Sequence, residues 1–274
     1  MSEWFGILEY AFFRNALAAA ILTSILAAMV GTYIVSRKIV FISGGITHAS
    51  FGGIGMAYFM GLNPLLGAAV FAIASATGIE WIAQKGKVRE DSAIAIFWSL
   101  GMAVGIIFVF MTPGYTPNLM SFLFGSILSV GMTELYLLLA FCVFVGLLFW
   151  IYFRPILHSA FDPEFSQIMG IPVALFRYTM SVVVALAIVI SIRSVGIILV
   201  LSLFTIPQIT AMLFTRSFSR IIPLAALLGV LGSLSGLFAS YFLDIPSGAA
   251  IIFFLTFQYL VLKGWVELKN MIYR

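Results

Sequence analysis

Charge is what this chain has least of: Asp, Glu, Lys and Arg together make up 9% of its 274 residues, against 63% hydrophobic. A mean hydropathy of +1.17 over that length excludes a soluble globular protein and leaves a polytopic membrane protein. The single cysteine, Cys142, excludes an intrachain disulfide, and its apolar surroundings argue against a thiolate metal site. No Gly-x-x-x-x-Gly-Lys-Ser/Thr sequence occurs, so the chain lacks the usual cradle for ATP. His-Glu-x-x-His is missing too, which excludes the common zinc-protease motif. No basic run with interleaved aromatics points to nucleic acid. The N-terminus carries Glu3 and Glu9 with one Arg14 and lacks the basic start of a cleaved signal peptide.

What the chain does have is long apolar runs. Nine are legible: Ala16–Val35, Ile39–Gly61, Leu65–Ile82, Ser92–Met111, Leu135–Phe153, Leu175–Ile192, Val195–Phe214, Ile221–Phe242 and Ser247–Leu262. The expected fold is all-α: one transmembrane domain over residues 1–274, a bundle of about eight to nine membrane helices, most near the 20 residues a bilayer requires. If the runs alternate across the membrane, twelve of the 14 Lys and Arg residues fall on one side, with only Arg14 and Arg193 on the other. The positive-inside rule places the twelve in the cytoplasm, giving an external N-terminus and a cytoplasmic C-terminus.

Two connections read as more than loops. Met120–Val130 is apolar but too short to span, and follows a Pro/Gly-rich stretch; it is expected to form an interfacial or re-entrant helix outside. On the cytoplasmic side, Phe161-Asp162-Pro163-Glu164-Phe165-Ser166-Gln167-Ile168-Met169-Gly170 reads as a short helix. Asp162 supplies the N-cap, Pro163 the first turn and Gly170 the stop. Phe161, Phe165, Ile168 and Met169 share an apolar face that lipid, the bundle or a partner protein must cover.

The residue that stands out is His48, in the middle of the Ile39–Gly61 run. An ionisable group at that depth is costly and usually functional. Gly44, Gly52 and Gly55 lie at helical spacing from it, so its face is stripped of side chains and open to close approach by a helix or a ligand. A helix–helix hydrogen bond is the competing role for His48. Glu80 and Glu134 read as interfacial carboxylates in water, and Asp244, before Ile245-Pro246-Ser247-Gly248, as a cap or turn residue. Pro207 interrupts the Val195–Phe214 run, the kind of break that lines transport pathways.

Several of these segments, in their order and spacing, resemble the membrane permeases of ABC importers for zinc, manganese and iron. They are Gly45-Ile46-Thr47-His48-Ala49, Arg89 to Ile96, Leu123-Phe124-Gly125-Ser126-Ile127-Leu128, Phe161 to Pro172, Val195 to Pro207 and Leu243-Asp244-Ile245-Pro246-Ser247-Gly248. The resemblance runs from about Arg14 to Leu262. It implies a multi-pass plasma-membrane permease, not itself an enzyme, acting as a homodimer. It implies two partners: a cytoplasmic ATP-binding cassette subunit that binds and hydrolyses ATP, and an external solute-binding protein. It implies no permanently bound cofactor, only a divalent metal ion in transit, met by His48 with Thr47 and Asp244 as further metal candidates along a path lined by Gly44, Gly52 and Gly55. The short helix, with Phe161, Asp162, Glu164, Phe165, Ile168, Met169 and Gly170, becomes the element that couples to the ATPase. Many members carry Asp one turn before the histidine; here that position is Gly44. Losing a carboxylate removes a hard ligand of the kind that suits manganese, while imidazole suits zinc or iron. Two other readings stay open: a permease for a metal chelate such as a siderophore or cobalamin, and an intramembrane hydrolase with a nucleophile beside His48.

Overall fold

The computed structural model describes residues 9–86, 88–113 and 127–272. Among these, all regular structure is helical. In chain order the helices are α1 Ala11–Ser36, α2 Phe41–Phe59, α3 Pro64–Lys85, α4 Glu90–Met111, α5 Met132–Phe161, α6 Pro163–Ile168, α7 Val173–Val195, α8 Ile197–Leu203, α9 Ile206–Met212, α10 Phe218–Leu243 and α11 Ser247–Ile272. Seven of them, α1, α3, α4, α5, α7, α10 and α11, are long and apolar enough to cross a membrane. The expected Ile39–Gly61 run is the 19-residue α2. The expected Val195–Phe214 run is not one helix but two, α8 and α9. Met120–Val130 lies largely outside the described residues; its described part holds a single 3-10 turn, Ile127–Ser129.

Local chemistry accounts for the helix ends. Asn63 caps α3, its side chain accepting from Leu65 N at 2.9 Å ahead of Pro64. Asp162 caps α6 in the same way, accepting from Phe165 N at 2.9 Å. Gly170, at φ +76°, then stops that turn, its N–H donating to Gln167 O while Ile171 N–H reaches Ser166 O. α5 bends at Tyr152 (φ −108°, ψ 25°), three residues before Pro155, whose ring cannot coexist with a regular preceding turn. α8 and α9 part at Thr205, with Pro207 in the first turn of α9.

The chain forms two compact units. The first contains residues 9–35, 127–146 and 193–272. Here α10 packs on α11 and α9, and a buried core of Ala28, Ala211, Ile221, Ala225 and Leu228 joins them to α1. Phe13 meets the edge of Phe238 at 5.4 Å. Gln208, fully buried at the helix break, donates to Ala27 O (2.7 Å) and to Leu203 O (3.1 Å), capping one of the carbonyls that the break frees. On the side assigned to the exterior, Arg193 pairs with Glu134 at 3.0 Å.

The second unit contains the described residues of 36–124 together with 147–192. Its centre is α2 against α3 and α4. The contacts are backbone to backbone. A Cβ placed on Gly53 would sit 2.0 Å from Gly67 O of α3, and one on Gly52 would sit 2.8 Å from Gly101 O of α4. Only glycine permits that approach, the small-residue packing that membrane helices use in place of a hydrophobic drive.

Candidate ion-pathway site

His48 sits at the centre of α2, the one Asp, Glu, His, Lys or Arg residue in that helix. Its half-buried ring lies flat against the indole of Trp98 from α4, with centroids 4.4 Å apart and planes 8° from parallel. Trp98 also closes the space in front of Gly44, where a Cβ would lie 3.3 Å from its Cζ3. One turn further on, Gly52 faces Gly101, and beyond that a Cβ on Gly55 would lie 2.5 Å from Gly105 O. The face that carries the histidine is therefore the face that meets α4, from Trp98 through Gly101 to Gly105. Of the two occupants expected for the bare face of Gly44, Gly52 and Gly55, a helix or a ligand, the helix is present: α4 lies against all three. The partner on α4 was hidden in the sequence because Trp98 sits in a run of hydrophobes with nothing to mark which face it takes.

The hydroxyls flanking the histidine are committed elsewhere. Thr47 donates to Ser43 O and Ser50 to Thr47 O, each at 2.6 Å, and both residues are buried. Neither proton is aimed at the imidazole, so neither hydroxyl is the activated nucleophile that the hydrolase reading needs. Thr47 is next to His48 in sequence but does not share its exposed edge. Asp244 belongs to the other unit, where it ends α10 in the left-handed region (φ 53°), the cap role its Ile-Pro context points to. Among the described residues no three His, Cys, Asp or Glu side chains converge on a common point.

A second constellation was missed. Glu80, expected in water, is 4% exposed and lies at the hub of a charged cluster. Arg37 Nη1 stands 3.1 Å from its Oε2 and Arg177 Nε 2.9 Å from its Oε1. Gln84 donates to Oε1 (2.7 Å) and Ser181 to Oε2 (3.3 Å). Glu90, at the start of α4, takes the second arm of both arginines. Two guanidiniums and two carboxylates balance, which is how charge survives burial. The cluster ties the turn after α1 to α3, α4 and α7 at the ends assigned to the cytoplasm. The signal was present: all four charges lie near the ends of apolar runs on the same predicted side.

The exposed face of α6 is intact. Phe161, Phe165, Ile168 and Met169 are exposed around the turn, while Ser166 is buried and donates back to Asp162 O at 2.7 Å. Glu164 lies in the first turn, where a negative side chain favours the helix.

Residues 9–264 match the model of the ABC 3 transport family. The chain belongs to that family. A membrane protein of Synechocystis is 37% identical over 254 residues, 93% of this chain and 90% of that one. The manganese transport system membrane protein MntC of Halalkalibacterium halodurans is 34% identical over 246 residues, 90% of this chain and 84% of MntC. Among solved structures, PsaBC from Streptococcus pneumoniae in complex with Fab is similar at a TM-score of 0.83 and 31% identity, covering 96% of this chain and 95% of that chain. The protein is a multi-pass plasma-membrane permease of a divalent-metal ABC importer, and that reading displaces the chelate and hydrolase alternatives.

Proposed function

We propose that the permease works as a homodimer in which the ion passes His48, and that ATP is hydrolysed by a separate cassette subunit docked on α6. The observation that carries the pathway is the place of His48: a lone imidazole midway along a helix that has no other Asp, Glu, His, Lys or Arg. A neutral imidazole offers one nitrogen lone pair. With no three-ligand cluster in one chain among the described residues, an ion met by one such nitrogen, or by one from each protomer, is held weakly enough to leave, as a conduction site requires. An external binding protein delivers the ion, and nothing need remain bound between cycles. In this reading α2 and the α8–α9 pair complete nine membrane segments. The orientation is supported by two groupings: Arg37, Glu80, Glu90 and Arg177 share one cluster, Glu134 and Arg193 another, and each cluster holds only residues the charge pattern assigns to one side.

The name of the relative MntC makes manganese the first cargo to test, and the imidazole without a neighbouring carboxylate makes zinc and iron the next. The test is uptake of each metal into vesicles holding the permease with its ATPase and binding protein. His48→Ala is expected to lower uptake while leaving assembly intact, and His48→Gln, which can still hydrogen-bond but not supply an imidazole, is expected to rescue little. Wild-type uptake by His48→Ala at limiting metal would remove the residue from the pathway.

A further inference from the structure

We infer that Trp98 is a positioning and specificity-determining residue of the ion pathway: its indole fixes the plane of the His48 imidazole and fills the room that a side chain at position 44 would need. This rests on the reading that His48 meets the ion.

Three observations carry it. The two rings are parallel to within 8° at 4.4 Å, a stacked geometry that a free ring rotation would destroy. A metal is bound in the plane of an imidazole, through a nitrogen lone pair, so covering the ring's face leaves the ligating direction open while settling where it points. The indole is also the nearest neighbour of the empty Cβ position on Gly44, at 3.3 Å and 3.7 Å through two of its carbons. A Cβ alone would fit with a small shift, but a longer side chain would have to push the indole aside. At 36% exposure, Trp98 keeps part of its surface uncovered by its own chain.

The chemical consequence concerns which ions fit. Trp98 offers no lone pair, since its indole nitrogen only donates. Its electron-rich face attracts a cation without binding it as a ligand. Beside His48, an ion thus finds one soft-to-intermediate nitrogen and a π surface where a carboxylate could have stood. That combination favours ions that accept imidazole readily over those that call for hard oxygen. Trp98 restrains the His48 ring by stacking on its face and not by a hydrogen bond to its second nitrogen.

The test uses the permease with its ATPase and binding protein in vesicles, with manganese(II), zinc(II) and iron(II) uptake measured separately. Trp98→Leu is expected to lower uptake several-fold, up to about tenfold, and Trp98→Phe, which retains a stacking ring, to stay within about threefold of wild type. Gly44→Asp alone is expected to abolish uptake. Gly44→Asp combined with Trp98→Leu is expected to restore it in part, with the order of preference moved towards manganese. In the purified complex, cobalt(II) should change a component of the tryptophan emission that both Trp98→Phe and His48→Ala lack; this readout holds even if the Leu variant assembles poorly. If His48→Ala abolishes uptake but Trp98→Leu keeps wild-type rates and metal order, the inference about Trp98 fails and the pathway reading stands. If His48→Ala transports normally, both fail. Strictly additive effects of the Gly44 and Trp98 substitutions, or a cobalt response identical in wild type and Trp98→Phe, would also overturn it.

Discussion

Glu80 shows how a membrane protein keeps charge inside. Its carboxylate is shared by Arg37, Arg177, Gln84 and Ser181, so each oxygen has two partners. Removing the carboxylate leaves two arginines to share Glu90 alone, and breaking such a buried pair costs on the order of 3–5 kcal/mol. Glu80→Ala is therefore expected to lower the unfolding temperature of the detergent-solubilised protein markedly. Glu80→Gln, which keeps the shape and one accepting oxygen but turns an NH2 donor towards the donors that met the other, is expected to fall between; equal stability of all three would mean that the cluster contributes nothing to folding. At this scale the sequence is only partly legible. His48 announces itself because an ionisable group in an apolar run has few explanations. Glu80 does not, because its partners lie 43 and roughly a hundred residues away in the chain, and a carboxylate near the end of a run looks the same whether it faces water or an arginine.

The short elements are more legible than the long ones. The start and stop of α6 follow from Asp162, Pro163 and Gly170 alone, and each takes up its expected role. The break between α8 and α9 follows from Pro207, although the fully buried Gln208 that caps the gap from α9 could not be foreseen. The glycine spacing marks the face of α2 that meets a neighbour, but no periodicity names that neighbour or its matching face, since α4 beyond its first turn is apolar all round. Two predictions belong here. Phe165→Asp puts a charge in the exposed apolar face of α6 and is expected to reduce copurification of the ATPase, or to uncouple hydrolysis from uptake, while the permease keeps its wild-type melting temperature; normal transport with bound ATPase would refute the docking role. Gly101→Leu, whose Cβ would fall 2.4 Å from the Ala49 Cα, is expected to force α2 and α4 apart and prevent stable expression, whereas the same change at Gly146, which has nothing within 4 Å, is expected to be tolerated. Comparable yields of the two variants by fluorescence-detected gel filtration would contradict the close seam.

For the molecule as a whole, the proposed orientation makes a prediction about which loops face the cytoplasm. On a Cys142→Ala background, a single cysteine at Lys85 or Met169 is expected to resist a membrane-impermeant maleimide added to intact cells, and one at Asn63 to react; all three positions are exposed on the chain. Rapid labelling at Lys85 would invert the topology. The division into two units was not legible, because each draws on segments far apart in the chain and no composition change marks their edges.

The α2–α4 seam also limits how this protein can change. At Gly52 and Gly55 the opposing backbone is that of Gly101 and Gly105; at Gly101 and Gly105 it is that of Ala49 and Phe51, with the Phe51 ring also touching Gly105. In an ordinary core, a residue that grows can be accommodated by a neighbour that shrinks. Here backbone atoms stand within 3 Å of every such Cβ position, and no substitution can shrink a backbone, so no compensating step exists. Drift at these four positions is blocked from both sides, and the expectation for an alignment of relatives is joint invariance, not the paired substitutions by which contacting residues usually betray each other.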